Sequence, residues 1–289
     1  MLHKAAALLL AGLVSLGAAR AQPPTPAELW QAAQTGDVDL IKRAAALGQD
    51  LWQRDADGYD ALDYAIEREQ PAAAQLLLEQ ALQRSVEGTA QQDYVTALLA
   101  GDVTPRPVAP AAAPALQAGL LRLLAHLGRT AAVRQLLGAG VAPDLGADSG
   151  YTALALAVRW QHAELVDVLL QAGANANTHT KSCYQSTPLM EASRHGNPRI
   201  VDALLRAGAA VNEGDRYGDH ALNWASYFGQ TAMARRLIEQ GADLRRTGQT
   251  DDSPLEIANR EGHAELAAVL RAAGAPARPG KDRLRSGKS

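Results

Sequence analysis

An all-α solenoid of about six to seven helix–turn–helix units with projecting loops is what this sequence predicts, and three observations predict it. The dipeptide Gly-Ala or a close relative recurs at Gly140-Val141, Gly173-Ala174, Gly208-Ala209, Gly241-Ala242 and Gly274-Ala275, in steps of 33, 35, 33 and 33 residues. A fixed period of this length marks one supersecondary unit copied and stacked, because such a unit cannot bury its apolar face alone. Within each period, apolar residues fall on one face at helical spacing. Alanine stands at equivalent places, Ala157, Ala192, Ala225 and Ala258. There, helices of adjacent units come too close for a larger side chain.

The best copy runs from Ser186 to Gly208. Thr187 is a natural N-cap, and Pro188 fits the first helical turn, where its missing N–H costs nothing. The first helix should end near His195, with Gly196 taking the left-handed conformation that closes a helix. Pro198 opens the second helix, whose Ile200, Val201, Leu204 and Leu205 share a face. The same grammar is written by Thr152-Ala153-Leu154 with Leu165, Val166, Leu169 and Leu170. Leu222 and Ala225 with Leu237 and Ile238 repeat it, as does Ser253-Pro254-Leu255 with Leu266, Val269 and Leu270.

Along the chain, residues 1–21 read as a signal peptide. His3 and Lys4 begin it, an apolar run from Ala5 to Gly17 follows, and Ala19-Arg20-Ala21 is an A-x-A cleavage signal. The apolar run is shorter than the ~20 residues that cross a bilayer. The mature chain then starts at Gln22, not at a cysteine that could carry lipid. With the Ala- and Arg-rich composition, this reads as a periplasmic protein with no stable membrane insertion after cleavage. Residues 22–81 hold two N-terminal repeats, with Leu29, Ala32, Gly36, Val38, Leu40 and Ile41 in the first, and Leu62, Ala65 and Leu76 to Leu78 in the second. Asp55-Ala56-Asp57-Gly58 between them is a tight turn. Residues 82–114 lose the pattern. They read as a degenerate repeat or a Pro/Ala-rich insertion, with helix expected at Asp93 to Ala100. The main block, residues 115–275, resumes with Leu120 to Gly140, and residues 276–289 form a basic disordered tail.

The repeated motif resembles that of the ankyrin-repeat family, T-P-L-x-x-A. It is matched in full at Thr187–Ala192 and in part in four other units. The resemblance implies an ankyrin-repeat solenoid of paired antiparallel helices, with hairpin-like loops projecting at a right angle. It also implies that His162 and His263, which follow the inter-helix break, bond between turns. Further, it implies that the two residues before each break face a concave groove beside the loop tips. Those pairs are Arg159-Trp160, Arg194-His195 and Tyr227-Phe228, and the loops add Tyr151, Lys181, Tyr184, Arg216 and Tyr217. Aromatic residues and arginine are what protein-binding hot spots use, because they bury large area with few rotors. These eleven residues are the candidate partner-binding set, with Tyr151 and Tyr217 at the patch's edge.

Composition narrows the function. Removing residues 1–21 leaves 26 basic against 31 acidic residues, net −5, and removing the tail leaves 21 against 30, net −9. An acidic body argues against a nucleic-acid partner. Cys183 is the single cysteine, so no internal disulfide forms. It lies in a lengthened loop, Thr178 to Ser186, and is expected to be exposed. His179, Cys183 and His195 share a neighbourhood, but no C-x-x-C or fourth ligand completes a metal site. Ser193 near His195 lacks a nucleophile elbow. No phosphate loop or G-x-G-x-x-G is present, and Asp55, Asp57 and Asp60 lack the glutamate of a calcium loop. The sequence therefore reads as a monomeric, non-catalytic module without metal or cofactor, binding a periplasmic protein of unknown identity through its concave face. The alternative is a regulator or chaperone of a periplasmic enzyme in stress defence, and beyond that a metal protein or enzyme built on His179, Cys183 and His195.

Overall fold

A computed structural model describes residues 22–68, 70–85, 114–146, 151–180, 184–248 and 250–276. Among them are fourteen helices and no strand. They pair as α1 (Pro26–Thr35) with α2 (Val38–Ala46), α3 (Ala61–Glu67) with α4 (Pro71–Ser85), and α5 (Pro114–His126) with α6 (Thr130–Gly138). Next come α7 (Ala153–Arg159) with α8 (Ala163–Gln171), α9 (Pro188–His195) with α10 (Pro198–Arg206), α11 (Ala221–Tyr227) with α12 (Thr231–Glu239), and α13 (Pro254–Arg260) with α14 (Ala264–Ala272). These are seven units among the described residues; α4 runs to Ser85 and α5 begins at Pro114, so both reach into the ends of the 82–114 stretch, whose residues 86–113 lie outside the described residues. The expected signal peptide, the helix at 93–100 and the basic tail beyond Pro276 lie outside the described residues.

Local chemistry sets each unit. Thr187 caps α9 by accepting from the Met190 N–H at 3.4 Å, and Pro188 occupies the first turn. Ser253 and Thr25 close full capping boxes with Glu256 and Glu28. Gly196 ends α9 at φ 75°. The left-handed backbone is costly for other residues. A Cβ there would also meet the tip of the Gln230 side chain of the next unit, which would have to shift.

The first helices of successive units pack in one row and the second helices in another. On α10, Ile200, Val201, Ala203 and Leu204 are buried, the stripe that 3.6 residues per turn requires. Each such leucine contributes about 1.5–3 kcal/mol by leaving water. Ala157, Ala192, Ala225 and Ala258 are all 0% exposed, at the tight approaches between first helices. One hydrophobic core runs from Leu29 to Ala275. It does not stop at the interruption in the repeat pattern, because α3 and α4 pack directly against α5. A buried Arg122 on α5 strengthens that junction, pairing with Asp60 at 3.2 Å and with Asp63 of the α3 capping box.

Side chains at the turns between helices tie unit to unit. His162 Nε2 lies 3.0 Å from the His126 carbonyl, and His263 Nε2 lies 3.2 Å from that of Tyr227. Gln230 donates to the Arg194 carbonyl at 3.0 Å. All three stand at the N-cap position of their unit's second helix, and their side chains reach the end of the first helix of the preceding unit. The structural role implied for His162 and His263 is thus what they perform, with Gln230 as a third member.

Candidate functional site

The site is built where the first helices and preceding loops of the last three units meet. A cavity of about 310 Å³ opens there. The loop before α9 supplies Tyr184, and the C-terminal turn of α9 supplies Arg194. The loop before α11 supplies Asp215 and Asp219, while α11 and its C-cap supply Trp224, Tyr227 and Phe228. Glu261, the C-cap of α13, closes the far side.

Aromatic contacts hold the walls. Tyr184 meets Trp224 edge-on at 5.6 Å between ring centroids and Tyr217 at 5.9 Å. Trp224 lies 6.5 Å from Phe228. Tyr184 and Tyr217 stand three residues before their N-caps, Thr187 and His220, so stacking brings these equivalent loop positions together. Both are exposed, as is Phe228 at 50%. The Arg194 guanidinium lies 5.9 Å from the Phe228 centroid, and Arg260 lies 5.6 Å from that of Tyr227. Both are within the distance at which a cation is attracted by a ring.

The polar frame is equally specific. Asp215 accepts from the Trp224 indole N–H at 3.0 Å, from the Tyr217 N–H at 2.8 Å and from the Asp219 N–H at 3.0 Å. The second unit repeats this arrangement. Asp55 accepts from the Tyr64 hydroxyl and from the N–H groups of Asp57 and Tyr59. The Asp55–Gly58 turn is therefore a loop-forming device, as its sequence suggests. Arg194 also lies 3.5 Å from Glu191 and donates to His195 Nε2 at 3.1 Å. Partial loss of hydration, then the Arg194 charge, holds the His195 pKa below its ordinary value, which favours the neutral ring that accepts.

Of the eleven residues singled out from sequence, the structure places Tyr184, Arg194, Tyr227 and Phe228 on the cavity and Tyr217 against its rim. Arg216 is exposed on the same loop as Tyr217, and its N–H donates to the Tyr184 carbonyl at 2.8 Å. His195 is exposed beside Arg194. Tyr151 is a correction. It is 3% exposed, packs edge-on against Tyr59 at 5.8 Å, and lies 3.4 Å from Arg159 through its hydroxyl. It precedes the N-cap Thr152, and the same position is buried at Tyr59, Ser186 and Asp219 and half-buried at Asp252. Tyr151 is core, not edge. Trp160 is half-buried and packs edge-on against His126 at 4.8 Å, away from the cavity's lining. Lys181 and Cys183 lie outside the described residues. His179 contacts the Gln185 carbonyl at 2.7 Å and Glu213 at 3.4 Å. Among the described residues, no group of three or more His, Cys, Asp or Glu side chains could hold a metal ion, and no helix is long and apolar enough to cross a membrane.

Sequence reasoning missed Trp224, Asp215, Asp219 and Glu261. The signal for Glu261 was in the phase. Arg260-Glu261 is the pair 33 residues after Tyr227-Phe228, and it occupies the same place in the next unit.

Comparison with known proteins agrees with this architecture. Residues 121–215 and 189–278 match the family described as ankyrin repeats (3 copies), and residues 29–78 match ankyrin repeats (many copies). Ankyrin repeat and SOCS box protein 16 of Homo sapiens is 38% identical over 153 residues, 50% of this chain and 34% of that protein. Ankyrin repeat and KH domain-containing protein mask-1 of Caenorhabditis elegans is 29% identical over 146 residues, covering 50% of this chain and 6% of that protein. The matched region thus spans about a third or less of those two relatives. Putative ankyrin repeat protein YahD of Escherichia coli (strain K12) is 26% identical over 253 residues, 86% of this chain and 97% of its own length. Matched in its N-terminal units and across its main block, and stacked as helix pairs among the described residues, the chain belongs to the ankyrin-repeat family.

Proposed function

We propose that this chain is a non-catalytic module that binds a partner protein on the face formed by its first helices and loops, centred on the cavity between Tyr184, Trp224 and Phe228. Ankyrin repeats are in general protein-interaction modules and typically carry no catalysis. The observation that carries the reading here is the exposure of Tyr184, Tyr217 and Phe228 on one continuous surface. Large aromatic groups left in contact with water, ordered by neighbours and rimmed by charge, are characteristic of binding hot spots. The test is capture by the purified chain from a periplasmic extract. Tyr227→Ala with Phe228→Ala should abolish capture while the circular dichroism spectrum stays helical. Glu239→Ala, exposed at the end of α12, should leave capture intact. Loss of the partner by the α12 variant alone would move the site to the outer row of helices.

The module acts in the periplasm under this reading, and the support is the N-terminal sequence alone. Mass spectrometry of the exported protein should find Gln22 first. An uncleaved chain retained in the cytoplasm would end the periplasmic assignment without touching the binding surface.

A further inference from the structure

We infer that the cavity receives a positively charged side chain, lysine or arginine, from an extended basic segment of the partner. The inference rests on the binding-face reading above and gives the partner its chemistry.

Three observations carry it. First, the lining holds the carboxylates of Asp215, Asp219 and Glu261 and the guanidinium of Arg194, a formal net charge of −2; Arg260, just beyond the lining, pairs with Glu261 at 3.0 Å and with Asp252. Asp215 and Asp219 are buried, so they have lost most of their contact with water. Charge held in a poorly hydrated concavity projects its field into the opening rather than into solvent. Second, the walls are aromatic. Tyr184, Trp224 and Phe228 meet around the opening, and ring faces attract cations within about 6 Å. The molecule already uses this interaction twice at the site. Arg194 lies against Phe228, and Arg260 lies against Tyr227. Arg194 does not block a second cation, because its guanidinium is held between Phe228, Glu191 and His195, leaving Tyr184 and Trp224 as the unclaimed walls. Third, the size fits. About 310 Å³ accommodates one long side chain but not a folded element. The repeat body, at net −9, attracts a basic segment from a distance as well.

The experiment titrates the full chain with capped, fluorescently labelled Gly-Ser peptides that differ only at three central positions. These hold arginine, lysine, citrulline or glutamate. Citrulline keeps the shape of arginine and removes the charge. The arginine and lysine peptides should bind at least tenfold more tightly than the citrulline peptide, and the glutamate peptide should not bind. Tyr184→Ala and Phe228→Ala, both at exposed rings, should each weaken the arginine peptide at least tenfold. Glu261→Gln, on the exposed rim, should weaken it severalfold. Equal binding of arginine and citrulline peptides would overturn the inference. So would full retention of arginine-peptide binding in Tyr184→Ala and Glu261→Gln, since attraction to the acidic body alone would then account for it. Tetramethylammonium binding as tightly as the peptides would replace a peptide segment with a small cation. Should basic peptides fail while wild-type chain, but not Tyr227→Ala with Phe228→Ala, still captures a protein, the cationic chemistry falls and the binding face stands.

Discussion

Asp215 and Trp224, nine residues apart, are joined by a hydrogen bond of 3.0 Å from the indole N–H to the carboxylate. The bond fixes the angle of the ring that forms the cavity's back wall. The same carboxylate also ties down the loop, through the N–H groups of Tyr217 and Asp219. One side chain therefore links the loop carrying Tyr217 to the helix carrying Trp224, Tyr227 and Phe228. The equivalent pair in the second unit, Asp55 and Tyr64, makes the same link, yet its ring stacks on Tyr59 at 5.5 Å. The device belongs to the repeat. The cavity described above lies beside the later unit.

Asp215→Ala should accordingly damage both the fold and the site. It strands a largely buried indole N–H and two loop amides, and each unsatisfied donor costs about 1–3 kcal/mol. A loss of more than about 2 kcal/mol in chemical denaturation is expected, with weaker capture of the partner. Asp215→Asn, which keeps one acceptor oxygen, should fall between the two. A variant as stable as the parent would show that the loop holds itself.

Ala192 is fully buried between α9 and its neighbours. Ala192→Leu forces three extra carbon atoms into that approach and should cost about 1–3 kcal/mol. Thermal melts recorded on both proteins check this. Unchanged stability would contradict the close helix approach that the alanine positions mark.

Helix ends and phase were legible because they follow from local chemistry. Thr187 offers a cap, Pro188 fixes φ for a first helical turn and Gly196 permits the left-handed turn that ends it, and the 33-residue step then places equivalent residues side by side. That is why Tyr184, Tyr217 and Phe228 could be named from sequence. Trp224 could not, since Leu222 and Ala225 around it read as core and its ring is in fact 8% exposed. Its role comes from the small part of the ring that lines the cavity. Tyr151 was misplaced for the opposite reason. Its residue type suits a surface hot spot, but the position before the N-cap is buried here, as it is at Tyr59, Ser186 and Asp219. Arg122 had no local signal at all. Its partners, Asp60 and Asp63, lie about 60 residues earlier, across a segment without repeat pattern.

The ladder of bonds between turns accepts more than one residue type. Gln230 performs for Arg194 what His162 performs for His126 and His263 for Tyr227. Gln230→Leu leaves the Arg194 carbonyl without this donor and should cost about 1–3 kcal/mol. Gln230→His should restore most of that loss, because the ring meets the same carbonyl geometry elsewhere in the stack. Denaturation midpoints for the pair decide it. Equal losses in both variants would mean that the glutamine is held by packing rather than by its bond.

Arg122 with Asp60 and Asp63 makes stability depend on pH in a direction opposite to most carboxylates. Two buried carboxylates face one guanidinium, so the trio is neutral only when one carboxylate holds a proton. Burial pushes the Asp63 pKa up to about 7 from its ordinary value of 3.8, against the lowering pull of Arg122 and with a further push from Asp60. The folded chain therefore keeps a proton that the unfolded chain has released above about pH 4. Stability from this site is complete below the unfolded pKa and is lost as pH rises toward 7. Asp63→Asn removes the titration. Compared with it, the parent protein should lose at least about 1 kcal/mol between pH 4.5 and 7, each pKa unit being worth about 1.4 kcal/mol. Arg122→Met tests the other half, since it leaves both carboxylates buried without their counter-charge and should cost about 3–5 kcal/mol at neutral pH. That cost should shrink in acid, where Asp63 gains a proton. Urea denaturation of the three proteins at pH 4.5 and 7 measures both effects. A difference between parent and Asp63→Asn that stays flat across that range would show that Asp63 is ionised in the folded chain and that Arg122 alone balances the junction.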